Sequence, residues 1–98
     1  MRYFIAESVM NDDLPVTPEQ MEKEYLPQHI AYLQQAIGTG MLLMAGPGES
    51  GGFLILRAET RETVDAFLEN EPYRRNGFNR FVVKEFIPKD RAEIVKDW

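Results

Sequence analysis

The chain has 98 residues, 44% hydrophobic and 28% charged, with a net charge of -5 and no cysteine; this predicts one globular domain over residues 1–98 and excludes disulfides, thiol nucleophiles and thiolate metal sites. The negative charge disfavours nucleic-acid binding, which needs a basic surface, and disfavours anionic membranes. No apolar run approaches the roughly 20 residues of a membrane span, and Glu7 interrupts the N-terminal segment too early for a signal peptide, so a cytoplasmic protein is expected.

The first half of the chain reads as a strand followed by a helical region. Aromatic and β-branched residues predict a strand over residues 2–9. The segment Thr17–Gln20 has the pattern of a capping box with proline at the first helical position, which predicts a helix start. Because proline breaks a helix interior, we expect a short first helix and then a fresh start or kink at Pro27. The main helix should run to about Ile37, before the glycines that follow.

The main helix has apolar residues at helical spacing, which predicts the face that packs on the sheet. That predicted stripe consists of Leu26, Ile30, Leu33 and Ile37. The single histidine of the chain, His29, is expected at the edge of the stripe.

The second half reads as a hairpin, a second helix and a last strand. The predicted elements are strand 41–45, strand 53–56, a helix capped by Thr60 with Val64, Phe67 and Leu68 inward, a loop over 73–77, a strand over 78–87, and a short C-terminal helix between Asp90 and Trp98. The helix should end before Pro72, since the residue preceding proline disfavours helical geometry. The glycine-rich segment 46–52 lacks a P-loop lysine and is interpreted as a turn.

The element order strand, helix, strand, strand, helix, strand predicts an α+β, ferredoxin-like fold with two helices on one face of a four-stranded antiparallel sheet. The central strands are apolar on both sides. Because the helices cover only one face of the sheet, apolar side chains on the other face are left without cover. We therefore expect a homodimer formed through the sheet face.

Three local patterns resemble the YCII-related (YciI-like) family of small dimeric α+β-barrel proteins. They are Pro27–Ile30 at the opening of the main helix, Gly40–Pro47 between helix and strand, and Glu71–Tyr73 after the second helix. The patterns occur in the family's order and the resemblance covers nearly the whole chain. It implies a dimeric α+β barrel.

The resemblance also implies a site. The family's recurring histidine and aspartate are regarded as an active-site pair, which corresponds here to His29 and to Glu71, an acid one methylene longer than the family's residue. Histidine is the side-chain type that ordinarily changes charge near neutral pH, so His29 is the candidate general base or acid and Glu71 its orienting partner. The alternatives are a half-buried histidine satisfied by a backbone carbonyl and an exposed loop acid.

Three more residues are candidates for substrate binding. Tyr73 and Tyr25 could line a pocket and donate phenolic hydrogen bonds, and Arg74 could hold an anionic substrate. Core or interface packing for the tyrosines and a solvated loop position for the arginine are the alternatives.

Two functions from different classes fit these residues. The first is a cofactor-independent enzyme of lyase, isomerase or dehydrohalogenase type, acting on a small organic molecule that the family's precedents suggest is aromatic or cyclic. The second is a non-catalytic module of the same fold that binds a small ligand or a partner. No cofactor or metal is expected, and a haem monooxygenase of the same barrel shape has only the lone His29 in its favour.

Overall fold

A four-stranded antiparallel sheet organises the chain in the computed structural model, which describes residues 1–98. Its strands are β1 (Arg2–Met10), β2 (Leu42–Pro47), β3 (Gly52–Ala58) and β4 (Asn79–Phe86), in the spatial order β2-β3-β1-β4. Helices cover one face of this sheet. The predicted α+β, ferredoxin-like fold is confirmed, with the two longest strands, β1 and β4, paired along most of their length.

The helical region before β2 runs without a gap from Pro18 to Thr39, where a short first helix and then a kink or a fresh start at Pro27 were expected. It consists of α1 (Pro18–Gln20), a π-helical turn (Met21–Tyr25) and α2 (Leu26–Thr39). The predicted capping box at Thr17 is present. Pro27 is the second residue of α2 and directly follows the π turn and Leu26. The wider π turn absorbs the proline without ending the helix, and Gly40, at φ 82°, ends it.

The predicted inward stripe of α2 is wrong at Ile30 and Ile37, whereas Leu33 packs against the core as predicted. Ile30 and Ile37 are 48% and 43% exposed. The inward face instead carries four residues at helical spacing: His29, Tyr32, Leu33 and Ala36. His29 and Tyr32 face inward because each makes a polar contact with a residue that follows β3 in the chain. His29 contacts the Glu71 carboxylate, and the Tyr32 hydroxyl donates to the Phe67 carbonyl.

The remaining helices lie beside α2. Helix α3 (Arg61–Glu69) is capped by the Thr60 hydroxyl, as predicted. Helix α4 (Pro72–Arg75) occupies part of the segment that was expected to be a loop, because Pro72 sits at its first position and the Glu71 side chain caps it. Instead of a C-terminal α-helix, only a 3-10 turn forms, at Glu93–Val95. None of the helices is long and apolar enough to cross a membrane.

The hydrophobic core lies between the sheet and the helices. Its buried residues are Phe4, Ala6, Ala36, Leu42, Leu54, Leu56, Ala58, Val64 and Leu68. The opposite side of the sheet, called here the open face, carries Met44, Phe53 and Val82 exposed to solvent. The C-terminal segment lies against one end of the open face, where the Arg91 guanidinium is 4.9 Å from the centre of the Tyr3 ring.

Candidate active site

The side chains of His29 and Glu71 meet between α2 and the start of α4. His29 Nδ1 lies 2.5 Å from Glu71 Oε1. The Glu71 side chain is 0% exposed and that of His29 is 23% exposed, so the acid is sealed while the imidazole keeps one edge accessible. The one-methylene extension relative to the family's usual aspartate therefore does not prevent the contact.

Backbone hydrogen bonds fix the Glu71 carboxylate. Its Oε2 accepts the N–H groups of Tyr73 at 3.1 Å and of Arg74 at 3.3 Å. These are donors that the first turn of a helix leaves without partners, so a capping carboxylate is favourable there. With Oε2 occupied, Oε1 is directed to His29. This contact uses Nδ1, and Nε2 is the ring nitrogen left without a hydrogen-bond partner in the chain.

Tyr73 lies directly against the His29 side chain. Its ring stacks on the His29 imidazole with centroids 4.3 Å apart and planes 10° apart. Burial, and after it the negative charge of Glu71, raises the pKa of the Tyr73 phenol. The phenol therefore stays protonated at neutral pH and can donate a hydrogen bond.

Tyr32 ties the helices together behind the pair. Its hydroxyl donates to the Phe67 carbonyl at 2.7 Å and its ring stacks on Phe67 with centroids 4.8 Å apart. Burial first and the charge of Glu71 second raise the pKa of the Tyr32 phenol, while Arg75 acts in the opposite direction. This contact joins α2 to α3, two residues before Glu69 ends α3 and four residues before Glu71.

A cleft of about 430 Å³ opens beside His29. Its helix side is formed by His29, Leu33 and Tyr73. The other walls come from the sheet and from the turn between β2 and β3, and they include Ser8, Phe53, Leu54, Phe81 and Pro47. No lysine, arginine, aspartate or glutamate lines the cleft. An apolar cleft of this size with few polar groups is typical of a site for a small organic ligand.

The predicted site residues divide into two groups. His29, Glu71 and Tyr73 come together, with His29 and Tyr73 lining the cleft. Tyr25 does not line it, and packs edge-on against Phe78 with centroids 4.8 Å apart. Arg74 does not line it either, and its guanidinium lies 3.6 Å from Glu69.

Sequence reasoning did not identify Ser8, Leu33 or Phe81 as cleft residues. A usable signal existed for Ser8, because strand alternation places it on the same face as Phe4 and Ala6. A polar residue on an otherwise apolar, helix-covered face indicates that the cover ends there. The structure holds no group of three or more His, Asp or Glu side chains placed to bind a metal ion.

Comparisons with known proteins agree with this fold. The family model of the YCII-related domain matches residues 1–87. The solved structure of 5-chloro-2-hydroxyhydroquinone dehydrochlorinase (TftG) from Burkholderia phenoliruptrix AC1100, in complex with 2,5-dihydroxybenzoquinone, is similar with a TM-score of 0.67 and 23% sequence identity, covering 87% of this chain and 93% of that chain. The comparison with curated proteins gives no match. Since the family model spans most of the chain, the resemblance is confirmed, and the chain belongs to the YCII-related family.

Proposed function

We propose that this protein is a small enzyme in which His29 transfers a proton to or from a cyclic organic molecule bound in the cleft, with Glu71 orienting the imidazole. The observation that carries this proposal is the contact between His29 Nδ1 and the fully buried Glu71 carboxylate. A carboxylate fixed by two backbone N–H groups holds the imidazole in one orientation and tautomer. Nε2 is then the atom available to a substrate.

The energetics favour a base that gains charge during the reaction. When Nε2 takes a proton, the imidazole becomes a cation beside an anion in a water-poor setting, where the attraction is stronger than in bulk water. A positioned general base of this kind contributes about 10²–10⁴-fold in rate. The proton balance is simple: a C–H or O–H bond of the substrate breaks, an N–H bond forms at Nε2, and the electron pair stays on the substrate.

The cleft walls support a ring-shaped substrate of low charge. Leu33, Leu54 and Phe81 offer apolar surface, and no cationic side chain is present to neutralise a phosphate or a dicarboxylate. A dehydrochlorinase acting on a chlorinated hydroxyhydroquinone is among the similar structures. We carry that substrate class to this chain as a proposal: hydroxylated or halogenated rings that undergo elimination or isomerisation, with the retained electron pair expelling a leaving group or moving a double bond.

Chloride release and isomerisation assays on chlorinated hydroxyquinols and related cyclic enols test the proposal. We expect His29→Gln to lower kcat about 10²–10⁴-fold, and Glu71→Gln to lower it by a similar factor, since the amide oxygen that accepts the two backbone N–H groups leaves an NH2 group facing Nδ1, which places the imidazole hydrogen on Nε2. Glu69→Gln is the matched control, because Glu69 is an exposed acid two positions away. Full activity in His29→Gln would refute the base assignment. Ring binding without turnover in the unmodified protein would favour a non-catalytic binding module.

We also propose a homodimer through the open face of the sheet. Met44, Phe53 and Val82 lie exposed on that face, beside the part that the C-terminal segment covers. A second copy would remove this apolar surface from water. Sedimentation equilibrium should give twice the chain mass for the unmodified protein and the chain mass for Val82→Lys. A monomer at all concentrations would contradict the dimer.

A further inference from the structure

We propose that the Ser8 hydroxyl is a second polar contact for the substrate, donating a hydrogen bond to a carbonyl oxygen of the ring, and that the buried side chain of Asn79 positions it. This inference rests on the proposed function and names the substrate class more narrowly. Ser8 lines the cleft from β1 on the sheet side, and His29 lines it from α2 on the helix side. A bound ring would therefore have one polar group on each side.

The hydrogen-bond polarity at Ser8 follows from its partner. Asn79 Nδ2 lies 2.7 Å from Ser8 Oγ and is the donor in this contact. A serine hydroxyl has one hydrogen and two acceptor lone pairs. Because the amide N–H uses a lone pair and the hydroxyl has no acceptor within the chain, the Ser8 hydrogen is free to be donated to a ligand.

The burial of Asn79 indicates a role other than packing. Asn79 is 2% exposed, and its side-chain Oδ1 has no hydrogen-bond partner. Leaving a buried carbonyl oxygen unpaired destabilises the folded state, and an apolar side chain at this position in β4 would avoid that cost. A residue that destabilises the fold beside a cleft is typical of a functional site. The group it serves here is Ser8, its hydrogen-bond partner.

The two polar groups define the chemistry of the substrate. When His29 takes a proton from a conjugated ring, the electron pair left behind spreads to a ring carbonyl oxygen. A donor placed at that oxygen binds the charge-bearing form more tightly than the starting compound and so stabilises the transition state. The cleft offers no cation for a charge that is already present. The inferred substrate class is therefore cyclic enols, enones and hydroxyquinone-like rings that carry a conjugated carbonyl.

Two probes of similar shape, one with and one without a carbonyl acceptor, test this inference. 4-Hydroxyacetophenone has a carbonyl opposite its hydroxyl, and 4-ethylphenol has nearly the same shape without it. We expect the unmodified protein to bind the carbonyl probe about threefold to tenfold more tightly, the usual range for one neutral hydrogen bond. Binding can be followed by the C–H resonances of His29, the single histidine.

Three variants separate a positioning role from a structural one. Ser8→Ala should abolish the preference for the carbonyl probe, and Ser8→Thr, which keeps the hydroxyl, should retain it. Asn79→Asp should also abolish it, because a carboxylate would accept the Ser8 hydrogen and leave none for the ligand. A merely structural pair would change stability in these variants and leave the ratio of the two affinities unchanged.

The outcomes distinguish this inference from the proposed function. A preference that persists in Ser8→Ala overturns the Ser8 assignment, as does an unmodified protein that binds both probes equally or binds neither. Turnover lost in His29→Gln with the probe preference intact in Ser8→Ala overturns this inference alone. Full turnover in His29→Gln, with the preference dependent on Ser8, overturns the base assignment and leaves the Ser8 contact standing.

Discussion

The two ends of the helix-covered sheet face are built differently, although the same strands run through both. At the closed end, Phe4 and Leu56 of the sheet pack with Val64 and Leu68 of α3. All four residues are at most 4% exposed. The other end of this helix-covered face is called here the open end, and it is distinct from the open face on the opposite side of the sheet. There β1 carries a half-buried serine, Ser8, that borders the cleft. The covering helix there, α4, has only four residues.

Polar groups concentrate where the cover is incomplete. The two buried polar or charged residues of the chain, Glu71 and Asn79, each bond to a cleft residue, His29 and Ser8 respectively. The closed end has none. A buried polar group destabilises the fold unless it is paired, so this distribution indicates that the closed end supplies stability and that the open end uses part of it for a site.

The largest expected effect comes from truncating one phenylalanine at each end. Phe4→Ala should lower the free energy of unfolding by about 3–5 kcal/mol, because it leaves a cavity in a fully enclosed site. Phe81→Ala should lower it by roughly 1–2 kcal/mol, since its ring already borders the cleft and loses less burial. Urea unfolding of both variants measures the difference. Equal losses would mean that the two ends are packed alike.

The next effect tests whether Glu71 stabilises the open end. Glu71→Ala removes the cap of α4 and the partner of His29, and should cost about 2–3 kcal/mol. Glu69→Ala is the control and should stay within about 0.5 kcal/mol, because that side chain is exposed. The same urea titration compares them. If Glu71→Ala were as mild as the control, the carboxylate would have no structural role.

Local pattern predicted most of the fold and little of the site. The helix starts are predictable because Thr17 and Thr60 cap them through hydrogen bonds to backbone N–H groups three residues ahead. The strands are predictable from the alternation of apolar residues. The prediction of the inward face of α2 failed because that face depends on contacts between residues far apart in the chain. His29 and Glu71 are 42 positions apart, and Tyr32 and Phe67 are 35 positions apart. No periodicity within one helix encodes such pairings. The candidate pair came from family resemblance, and its role stays a prediction.

A smaller effect is expected in the turn that forms one wall of the cleft. A Cβ on Gly51 would lie 2.0 Å from the Ser8 carbonyl oxygen, whereas one on Gly46 would have nothing within 4 Å. Gly51→Ala should therefore push the turn away from β1 and lower the free energy of unfolding by about 1–2 kcal/mol. Gly46→Ala should change it by less than about 0.5 kcal/mol. Similar values would show that the turn does not press on β1.

The smallest expected effect is an alkaline pH dependence that arises from the phenols of Tyr73 and Tyr32. The raised pKa of Tyr73 means that the unfolded chain loses this phenol proton first, once the pH passes about 10. The free energy of unfolding should be unaffected by Tyr73 below that pH and should fall as the pH rises from the ordinary tyrosine pKa to the raised one. Tyr73→Phe should make this fall shallower in urea titrations between about pH 9 and 11.

Tyr32→Phe gives the matched comparison, because the pKa of Tyr32 is also raised by burial and by the Glu71 charge. It should flatten the same alkaline fall, and it should also lower stability by about 1 kcal/mol at neutral pH, since the hydroxyl donates to the Phe67 carbonyl. Tyr73→Phe loses no such bond within the chain. An alkaline slope that neither variant changes would mean that burial and the Glu71 charge do not hold these two phenols in their neutral form above the ordinary tyrosine pKa.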